Sequence, residues 1–421
     1  MHNISNNQSV LLVNPISSGK NLKKILKEKG YGIIIVYTLS EEILQSDAFG
    51  VDVKLLKKEY PIVIFKDTLK KVQNIDFRNK HNIIGVVPAS ESGVIFAAKL
   101  SKIYALTGNA EIDIIKCRDK FSMRKTLSES NLEHPKYARI HNDDDLINFN
   151  DSAIKYPAIL KPPSSSGTSQ VFICNKKDDI LKNAKEILND PNIFGDRNSY
   201  ILIEEFMEGE EHAVNGFVKN NNVIITDIWR YIKDDGCLSK NVLLLESINN
   251  RKFSSAIEYV KKCVKSLGIK RGMFHGEIIL NTEKNEPKPM LVELAARMSG
   301  LSMIEIIKKV SNFNPYDIHL SAFIDSYKYS IPHDIYLHSN GAIVCVPIKS
   351  HGIVDSIVGV DDIKSLKSYD SHSTFIKKGN QVSNTKSLFN LMMTINLINK
   401  NRSQLLYDID RAKNTVKLIT K

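Results

Sequence analysis

Short apolar runs alternate with helical patterns in the first quarter of the chain. Three runs rich in β-branched residues occupy 9–14 (SVLLVN), 32–38 (GIIIVYT) and 61–65 (PIVIF), and residues 82–106 add a fourth run followed by an amphipathic helical pattern. Continuous apolar strands that alternate with helices are typical of a parallel sheet covered on both faces. We therefore predict an α/β domain over residues 1–115.

The pattern changes to a helix followed by strand pairs in residues 116–330. The helix is predicted over 117–131 (CRDKFSMRKTLSESN). Apolar, strand-like segments then follow at 156–162, 169–175, 200–206, 211–218 and 222–229. This block, a helix followed by strand pairs, is the largest of the chain.

A third block is predicted over residues 335–421, after a polar, proline-bearing linker. Its strand candidates are GAIVCVPI and GIVDSIVGV, and two closing helices are predicted in 387–401 (SLFNLMMTINLINKN) and 404–418 (QLLYDIDRAKNTVKL). The chain thus divides into three blocks.

Composition is that of an ordinary globular protein. The chain has 421 residues, of which 42% are hydrophobic and 25% charged, a size that suggests two or three domains. No apolar run approaches the roughly 20 residues that span a bilayer, and the N-terminus lacks the pattern of a secretory signal. The five cysteines are odd in number and have no CxxC spacing, so we expect neither disulfides nor a zinc site. We expect the protein to be located in the reducing cytoplasm.

The formal net charge is +11. The lysines are spread along the chain, whereas a nucleic-acid-binding protein normally concentrates them on one face or element. We therefore expect small-molecule partners, with no nucleic acid and no membrane. A polyanion such as ATP is compatible with this charge but is not required by it.

Two acids lie in strand-like segments that a polar loop joins. Glu277 is in MFHGEIIL and Glu293 is in PMLVELAA. A hairpin symmetric about Asn285 would place them opposite one another on one face, with Cβ atoms about 5 Å apart. Such like charges need a cation between them, and carboxylates near ATP can hold Mg²⁺ while phosphates complete its shell. The alternative is that one glutamate faces solvent or pairs with a lysine.

The segment KPPSSSGTSQV places Lys161 at the end of a strand, before a small polar loop. Backbone N–H groups and hydroxyls of such a loop can bind phosphates, with the lysine as a point charge. The alternative is a surface lysine beside a flexible hairpin. Residues 163–169 offer few evident anchors, so we expect the loop to be weakly ordered before nucleotide binds. The segment is not a P-loop, and NPISSGKN also departs from that motif, with Asn21 where Ser or Thr belongs.

An acidic turn follows another strand in YILIEEFMEGEEHAV. Glu204 and Glu205 end the strand, and Glu211 follows the turn at Gly209. A hinge of this kind can offer backbone groups to adenine and a carboxylate to ribose, although any acidic β-turn has the same composition. Lys120, on the helix of the second block, is equally compatible with a solvated helix face.

Together, the order and spacing of these pieces resemble the ATP-grasp superfamily over about residues 1–415. The resemblance implies an α/β and α+β fold, with a Rossmann-like N-terminal domain and a central domain whose two lobes hold ATP between them. It implies a mobile lid lobe at about 155–205 and a small C-terminal α+β domain over 335–421. The C-terminal block resembles the closing domain of biotin carboxylase-like members.

The resemblance also implies roles for individual residues. Arg297 and Lys161 would be catalytic, and Glu277 and Glu293 would hold Mg²⁺, with Mn²⁺ as a substitute. The residues implied to bind ATP are Lys120, Lys161, Ser165, Ser166, Gly167, Thr168, Glu204, Glu205, Phe206, Met207 and Glu211. Those suggested for the substrate side are His212, Trp229, Arg230, Ser299 and Gly300.

One departure narrows the resemblance. Many ATP-grasp enzymes have Asn as a further metal ligand where this chain has Ala295, in ELAARMSG. That variant is similar to the bacterial L-amino acid ligases, which implies activation of an amino-acid carboxylate as an acylphosphate and transfer to an amine. The alternatives are a ligase or carboxylase acting on a purine precursor or bicarbonate, and a non-catalytic nucleotide-binding protein. A homodimer is compatible with the resemblance.

Overall fold

The computed structural model describes residues 8–147, 154–233, 240–281 and 288–421. Asn285, the expected centre of the hairpin, and Cys237 lie outside these residues. The helices are α1 (Lys20–Glu28), α2 (Glu41–Gln45), α3 (Val53–Glu59), α4 (Ile75–Lys80), α5 (Val94–Ile103), α6 (Glu111–Arg118), α7 (Lys120–Glu129), α8 (Asp143–Ile147), α9 (Lys177–Asn189), α10 (Ser254–Ser266), α11 (Met303–Val310), α12 (Pro315–Phe323), α13 (Val360–Lys364) and α14 (Arg402–Thr415). The strands are β1 (Ser9–Val13), β2 (Gly32–Val36), β3 (Val63–Ile64), β4 (Ile83–Pro88), β5 (Tyr137–Ile140), β6 (Ala158–Lys161), β7 (Phe172–Cys174), β8 (Ile201–Glu205), β9 (Glu210–Lys219), β10 (Asn222–Lys233), β11 (Lys240–Glu246), β12 (Gly272–Leu280), β13 (Pro289–Ala295), β14 (Asn340–Pro347), β15 (Gly352–Val358), β16 (Tyr369–Thr374), β17 (Gln381–Val382), β18 (Leu391–Asn399) and β19 (Lys417–Thr420).

The N-terminal sheet has the order β3-β2-β1-β4, and its strand pairs are all parallel. This arrangement confirms the prediction made from the continuous apolar runs. A short 3₁₀ turn, Glu91–Gly93, follows β4 at the carboxyl end of the sheet. This connection carries Glu91, a buried acid, from the N-terminal sheet towards the rest of the molecule.

An eight-stranded antiparallel sheet forms the centre of the molecule, in the order β13-β12-β9-β10-β11-β14-β18-β16. It is continuous from the central block into the C-terminal block. Glu277 on β12 pairs directly with Glu293 on β13, which confirms the predicted register. The register shifts immediately after this pair, so the acids lie at an irregularity of the kind that re-aims side chains near functional sites.

A separate four-stranded antiparallel sheet, β5-β8-β6-β7, packs against α9 around a core of its own. In this sheet β6 lies beside β8, and Lys161 pairs with Leu202. Glu204 pairs with Ile159, so Lys161 and Glu204 are diagonal neighbours on the same face of the sheet.

Two predicted helices are corrected by the structure. Residues 387–401 are not helical, because most of them form β18, which lies between β14 and β16. Seven successive residues of β18 are buried and five of them are apolar, and a short, mostly apolar run does not distinguish a buried strand from a buried helix. Residues 117–131 contain the end of α6 and the whole of α7, separated at Asp119, whose carboxylate accepts a hydrogen bond from the Ser122 N–H at 2.7 Å.

None of the helices in the described ranges has the length and hydropathy needed to cross a bilayer.

Candidate active site

A large cavity lies between the N-terminal sheet, the four-stranded lobe and the central sheet. Its volume is about 1410 Å³, whereas pockets for a single small ligand usually hold about 300–1,000 Å³. Residues from all three blocks line it, including Ser17, Lys161, Glu293 and Thr394. The cavity therefore has room for a nucleotide and at least one further small molecule.

Lys161 is held in a buried ion-pair network. Its Nζ lies 2.6 Å from Glu204 Oε2, and Arg124 Nε lies 2.8 Å from Glu204 Oε1. Arg124 also donates to Glu204 Oε2 at 3.2 Å and to the Val292 carbonyl at 2.8 Å. The Glu204 carboxylate of β8 therefore binds Lys161 of β6 and Arg124 of α7, and Arg124 in turn binds the backbone of β13.

Burial and the neighbouring charges alter the pKa values of Lys161 and Glu204. Burial lowers the pKa of Lys161 to about 8, because the charged ammonium loses solvation and the nearby Arg124 charge adds to this effect, although Glu204 opposes it. Burial alone would raise the pKa of Glu204, but the charges and hydrogen bonds of Arg124 and Lys161 outweigh it and lower that pKa. The cavity wall thus carries a lysine whose pKa is lowered mainly by its burial.

The loop after Lys161 has more anchors than the sequence suggests. Lys120 N–H donates to the Pro163 carbonyl at 3.0 Å, and Leu388 N–H donates to the Gly167 carbonyl at 3.1 Å. Gly167 has φ of +64°, and a Cβ built there would lie 2.6 Å from the Phe389 ring, so glycine is required on both counts. The C-terminal block therefore holds the tip of the loop. Ser165, Ser166, Gly167 and Thr168 all line the cavity.

The expected adenine hinge lies along the same cavity, with its side chains partly engaged. Phe206, Met207 and Glu211 line the wall, and Glu211 forms an ion pair with Lys233 on β10. Glu205 instead faces Lys136, whose N–H it accepts at 3.3 Å.

The hinge N–H groups of Glu205 and Phe206 are already bonded, to the carbonyls of Lys136 and Pro157. A base bound beside these two residues would therefore not meet a free backbone N–H group of either one.

Glu277 and Glu293 face the cavity side by side. Lys120 Nζ lies 3.0 Å from Glu293 Oε2, so a cation already compensates one acid. Glu277 Oε1 lies 3.3 Å from His275 Nε2, and Tyr231 hydrogen-bonds the Glu277 carboxylate. Burial first, and then the charges of Glu277 and Glu211, raise the pKa of Tyr231 well above its usual range.

The donor set of the acid pair fits a hard divalent cation. Carboxylate oxygens suit Mg²⁺, which needs few protein ligands when phosphates and water complete its octahedron. Among the described residues, no group of three or more His, Cys, Asp or Glu side chains converges as a preformed metal site. The two glutamates therefore fit a metal that arrives with a phosphate-bearing ligand.

Arg297 is fixed by an acid from the N-terminal domain. Its Nε lies 2.7 Å from Glu91 Oε2, while Arg118 NH1 lies 2.9 Å from Glu91 Oε1. Burial alone would raise the pKa of Glu91, but the two arginines outweigh it and lower that pKa to about 2. Arg297 also donates to the Met298 carbonyl at 2.9 Å, so the guanidinium is held in place on the cavity wall.

The residues suggested for the substrate side separate into two groups. Arg230 and Gly300 line the cavity. His212 and Trp229 are fully buried and do not line it, since His212 packs edge-on against Phe253 and Trp229 lies in the core between the first two domains. Ser299 is also buried, with only its backbone carbonyl engaged, by a serine of the N-terminal domain.

Several residues that line the cavity or hold its wall in place were not identified from the sequence. Arg124 had a usable signal, because it lies four residues after Lys120 and so on the same helix face. Glu91, Tyr231, Lys233 and His275 had none, because their roles depend on contacts between distant segments.

Residues 154–305 match the ATP-grasp domain family. The whole chain superposes on the crystal structure of an L-amino acid ligase from Bacillus licheniformis with a TM-score of 0.79 and 17% identity, covering 99% of each chain. That likeness establishes the fold.

Two curated relatives carry the similarity at the sequence level. Dapdiamide A synthase of Enterobacter agglomerans is 24% identical over 86% of this chain and 86% of the relative. A D-alanine–D-alanine ligase of Pelagibacter ubique is 25% identical over 66% of this chain and 95% of the relative. Both similarities extend well outside the matched domain.

Proposed function

The chain carries an ATP-grasp domain on the fold of the ATP-grasp ligases, and from that premise we propose that it is an ATP-dependent carboxylate–amine ligase acting on amino acids. The reaction joins a carboxylate to an amine and releases ADP and phosphate. The names of the similar proteins, an L-amino acid ligase, a dapdiamide synthase and a D-alanine–D-alanine ligase, support this class of reaction.

In the proposed reaction a substrate carboxylate attacks the γ-phosphorus of ATP, and an acylphosphate forms as ADP leaves. The amine of the second substrate then attacks the acyl carbon, and phosphate leaves. Lys161 and Lys120 would contact the phosphates, and Glu277 and Glu293 would hold Mg²⁺, which would supply positive charge against the phosphate oxygens.

Arg297 binds the reacting carboxylate, because its planar fork can contact two oxygens at once. Glu91 occupies Nε, and the Met298 carbonyl accepts from NH1, so the guanidinium is oriented before substrate arrives. Such preorganised positive charge is most effective where charge develops during the reaction. The enclosing loop at 163–169 would keep water from the acylphosphate.

We also propose domain limits of 1–115, 116–330 and 335–421, with a lid at about 155–205. The lid is supported by a four-stranded sheet and a hydrophobic core that are separate from those of the central sheet, although both also include β5, which precedes residue 155. The eight-stranded sheet contains strands from both the second and the third block. The boundary near residue 335 therefore separates two chain segments that belong to one sheet.

The observation that carries the proposal is the convergence of two lysines, two glutamates and one arginine on a single cavity (Lys120, Lys161, Glu277, Glu293 and Arg297). The test is release of phosphate from ATP with pairs of amino acids, followed by mass spectrometry of the product. We expect release that depends on amino acids and on Mg²⁺. Turnover only with bicarbonate or a purine precursor would favour a carboxylase or ligase acting on those substrates. Nucleotide binding without turnover would favour a non-catalytic protein.

A further inference from the structure

Two buried acceptor oxygens on residues of the cavity wall have no hydrogen-bond partner among the described residues. They are Glu305 Oε2 on α11 and Asn396 Oδ1 on β18, and both residues line the cavity. A buried acceptor that receives no hydrogen bond is costly, so each such atom needs an explanation. Because a carboxylate oxygen and an amide oxygen can only accept, a ligand that satisfies them must bring donors.

The Glu305 carboxylate is held in place by two other helices. Asn21 Nδ2 on α1 and Tyr316 Oη on α12 each donate to Glu305 Oε1 at 2.7 Å, and Asn21 Nδ2 also donates to Tyr316 Oη at 2.8 Å. These bonds use both hydrogens of the amide nitrogen and the single hydrogen of the tyrosine hydroxyl, so neither residue has a donor left for Oε2.

The charge of Glu305 has no cationic partner in the described part of the chain. Two lysines line the same cavity. Lys309 follows Glu305 by one helical turn, but its Nζ lies 2.6 Å from Asp370 Oδ1 and 2.7 Å from Oδ2, which compensates its charge. Lys20 is exposed, so solvent and salt screen its charge. Glu305 is therefore available to a cationic ligand.

The Asn396 amide has a defined orientation. Ser371 Oγ donates its only hydrogen to Asp370 Oδ2 at 2.8 Å, since a carboxylate accepts. Ser371 Oγ must then accept from Asn396 Nδ2, 3.0 Å away, which leaves Oδ1 as the unpaired atom. Asp370 also binds Lys309, so this series of contacts connects Asn396 to α11 and places both acceptors at one end of the cavity.

This end of the cavity is close to the proposed reaction centre. Ser18 Oγ, in the 3₁₀ turn that leads into α1, donates at 2.7 Å to the carbonyl of Ser299, two residues after Arg297. Asn21, three residues after Ser18, binds Glu305. One helical turn rises about 5 Å, so Glu305 lies about one turn from the segment that carries Arg297. Lysine carries its ammonium on a four-carbon stem, which can span such a distance.

We propose that the end of the cavity between α11 and β18 binds the positively charged side chain of a basic amino-acid substrate, and that Glu305 selects that charge. The proposal rests on the proposed function. In that reaction both α-amino groups are confined to the reaction centre, because one lies beside the activated carboxyl group and the other is the nucleophile. The cation that reaches Glu305 is therefore a side chain. An ammonium or guanidinium has enough N–H groups to bind both Glu305 and Asn396.

The test compares amino acids of similar shape that differ in side-chain charge. Binding of L-arginine, L-citrulline and L-norleucine is measured by calorimetry with Mg²⁺ and a non-hydrolysable ATP analogue present. Citrulline is neutral but keeps N–H donors, and the norleucine side chain has neither charge nor donors. We expect L-arginine to bind at least about tenfold more tightly than L-citrulline, because hydrogen bonds between charged groups are the stronger ones.

Glu305→Gln removes the charge and keeps an oxygen that can accept from Asn21 and Tyr316. We expect it to weaken L-arginine binding about tenfold or more and to change the binding of the two neutral amino acids little. Glu28→Gln is the matched control. It removes an equal charge from α1, where Glu28 is 61% exposed and 3.8 Å from Lys24, and it should leave all three affinities unaltered.

Asn396→Leu should weaken L-arginine and L-citrulline alike and leave L-norleucine unchanged, since only the first two carry side-chain donors. Equal affinity of the unaltered protein for L-arginine and L-citrulline would overturn the proposal. So would an equal loss for all three amino acids in Glu305→Gln, because Glu305 would then act on a group common to them. Phosphate release confined to neutral amino acids would refute this inference alone, whereas no release with any amino-acid pair would contradict the proposed function.

Discussion

Replacement of Arg124 by methionine removes three hydrogen bonds from the protein interior, two to Glu204 and one to the Val292 carbonyl. Breaking a buried ion pair by removing one partner costs about 3–5 kcal/mol. Lys161 remains 2.6 Å from Glu204 and still compensates its charge, so the lower part of that range applies. The Val292 carbonyl loses a buried donor, which costs about 1–3 kcal/mol. Since these costs overlap, we expect a loss of about 3–4 kcal/mol in unfolding free energy.

The assay is urea unfolding of Arg124→Met beside Lys125→Met, an adjacent substitution on the same helix. Lys125 and Glu129 lie 3.8 Å apart, and their side chains are 63% and 65% exposed. An exposed pair of this kind contributes at most about 0.5 kcal/mol. Far-ultraviolet circular dichroism and intrinsic fluorescence should be recorded together, because a multidomain chain need not unfold in one step. Equal unfolding midpoints for the two variants would refute the reasoning.

Three further predictions concern the cavity. Glu293→Gln should abolish Mg²⁺-dependent phosphate release with little change in melting temperature, because it removes a like charge from opposite Glu277 while the amide oxygen can still accept from Lys120; wild-type turnover would remove the metal assignment. Arg297→Lys keeps the charge but loses the fork that Glu91 orients, so kcat should fall about 10²-fold or more while ATP affinity by calorimetry stays unchanged; a defect confined to ATP binding would contradict this role. Because burial lowers the pKa of Lys161 to about 8, its ammonium form is present below that pH and is lost above it. ATP affinity should therefore fall by up to about tenfold between pH 8 and 9, and calorimetry in buffers of different ionisation enthalpy should show proton uptake on binding; a flat profile would exclude the titration of Lys161.

Features that depend on neighbouring residues could be predicted from the sequence. The four strands of the N-terminal domain and the cross-strand pairing of Glu277 with Glu293 were predicted correctly, because apolar runs and hairpin symmetry are properties of neighbouring residues. The helix predicted for 387–401 was wrong, because a short, mostly apolar segment such as β18 takes its conformation from the strands beside it. No periodicity within the segment carries that information.

The sequence by itself determined where the polar loop after Lys161, the acidic turn and the acid pair lie, since each is a short pattern within a strand or directly after one. Only the tertiary structure decided how they are held. Glu91 reaches Arg297 across 206 positions of chain and Arg124 reaches Glu204 across 80. Whether such buried charges meet depends on how sheets and domains pack, because an ion pair in the interior is stable only when both partners and their hydrogen bonds arrive together. No local pattern in the chain encodes that arrangement.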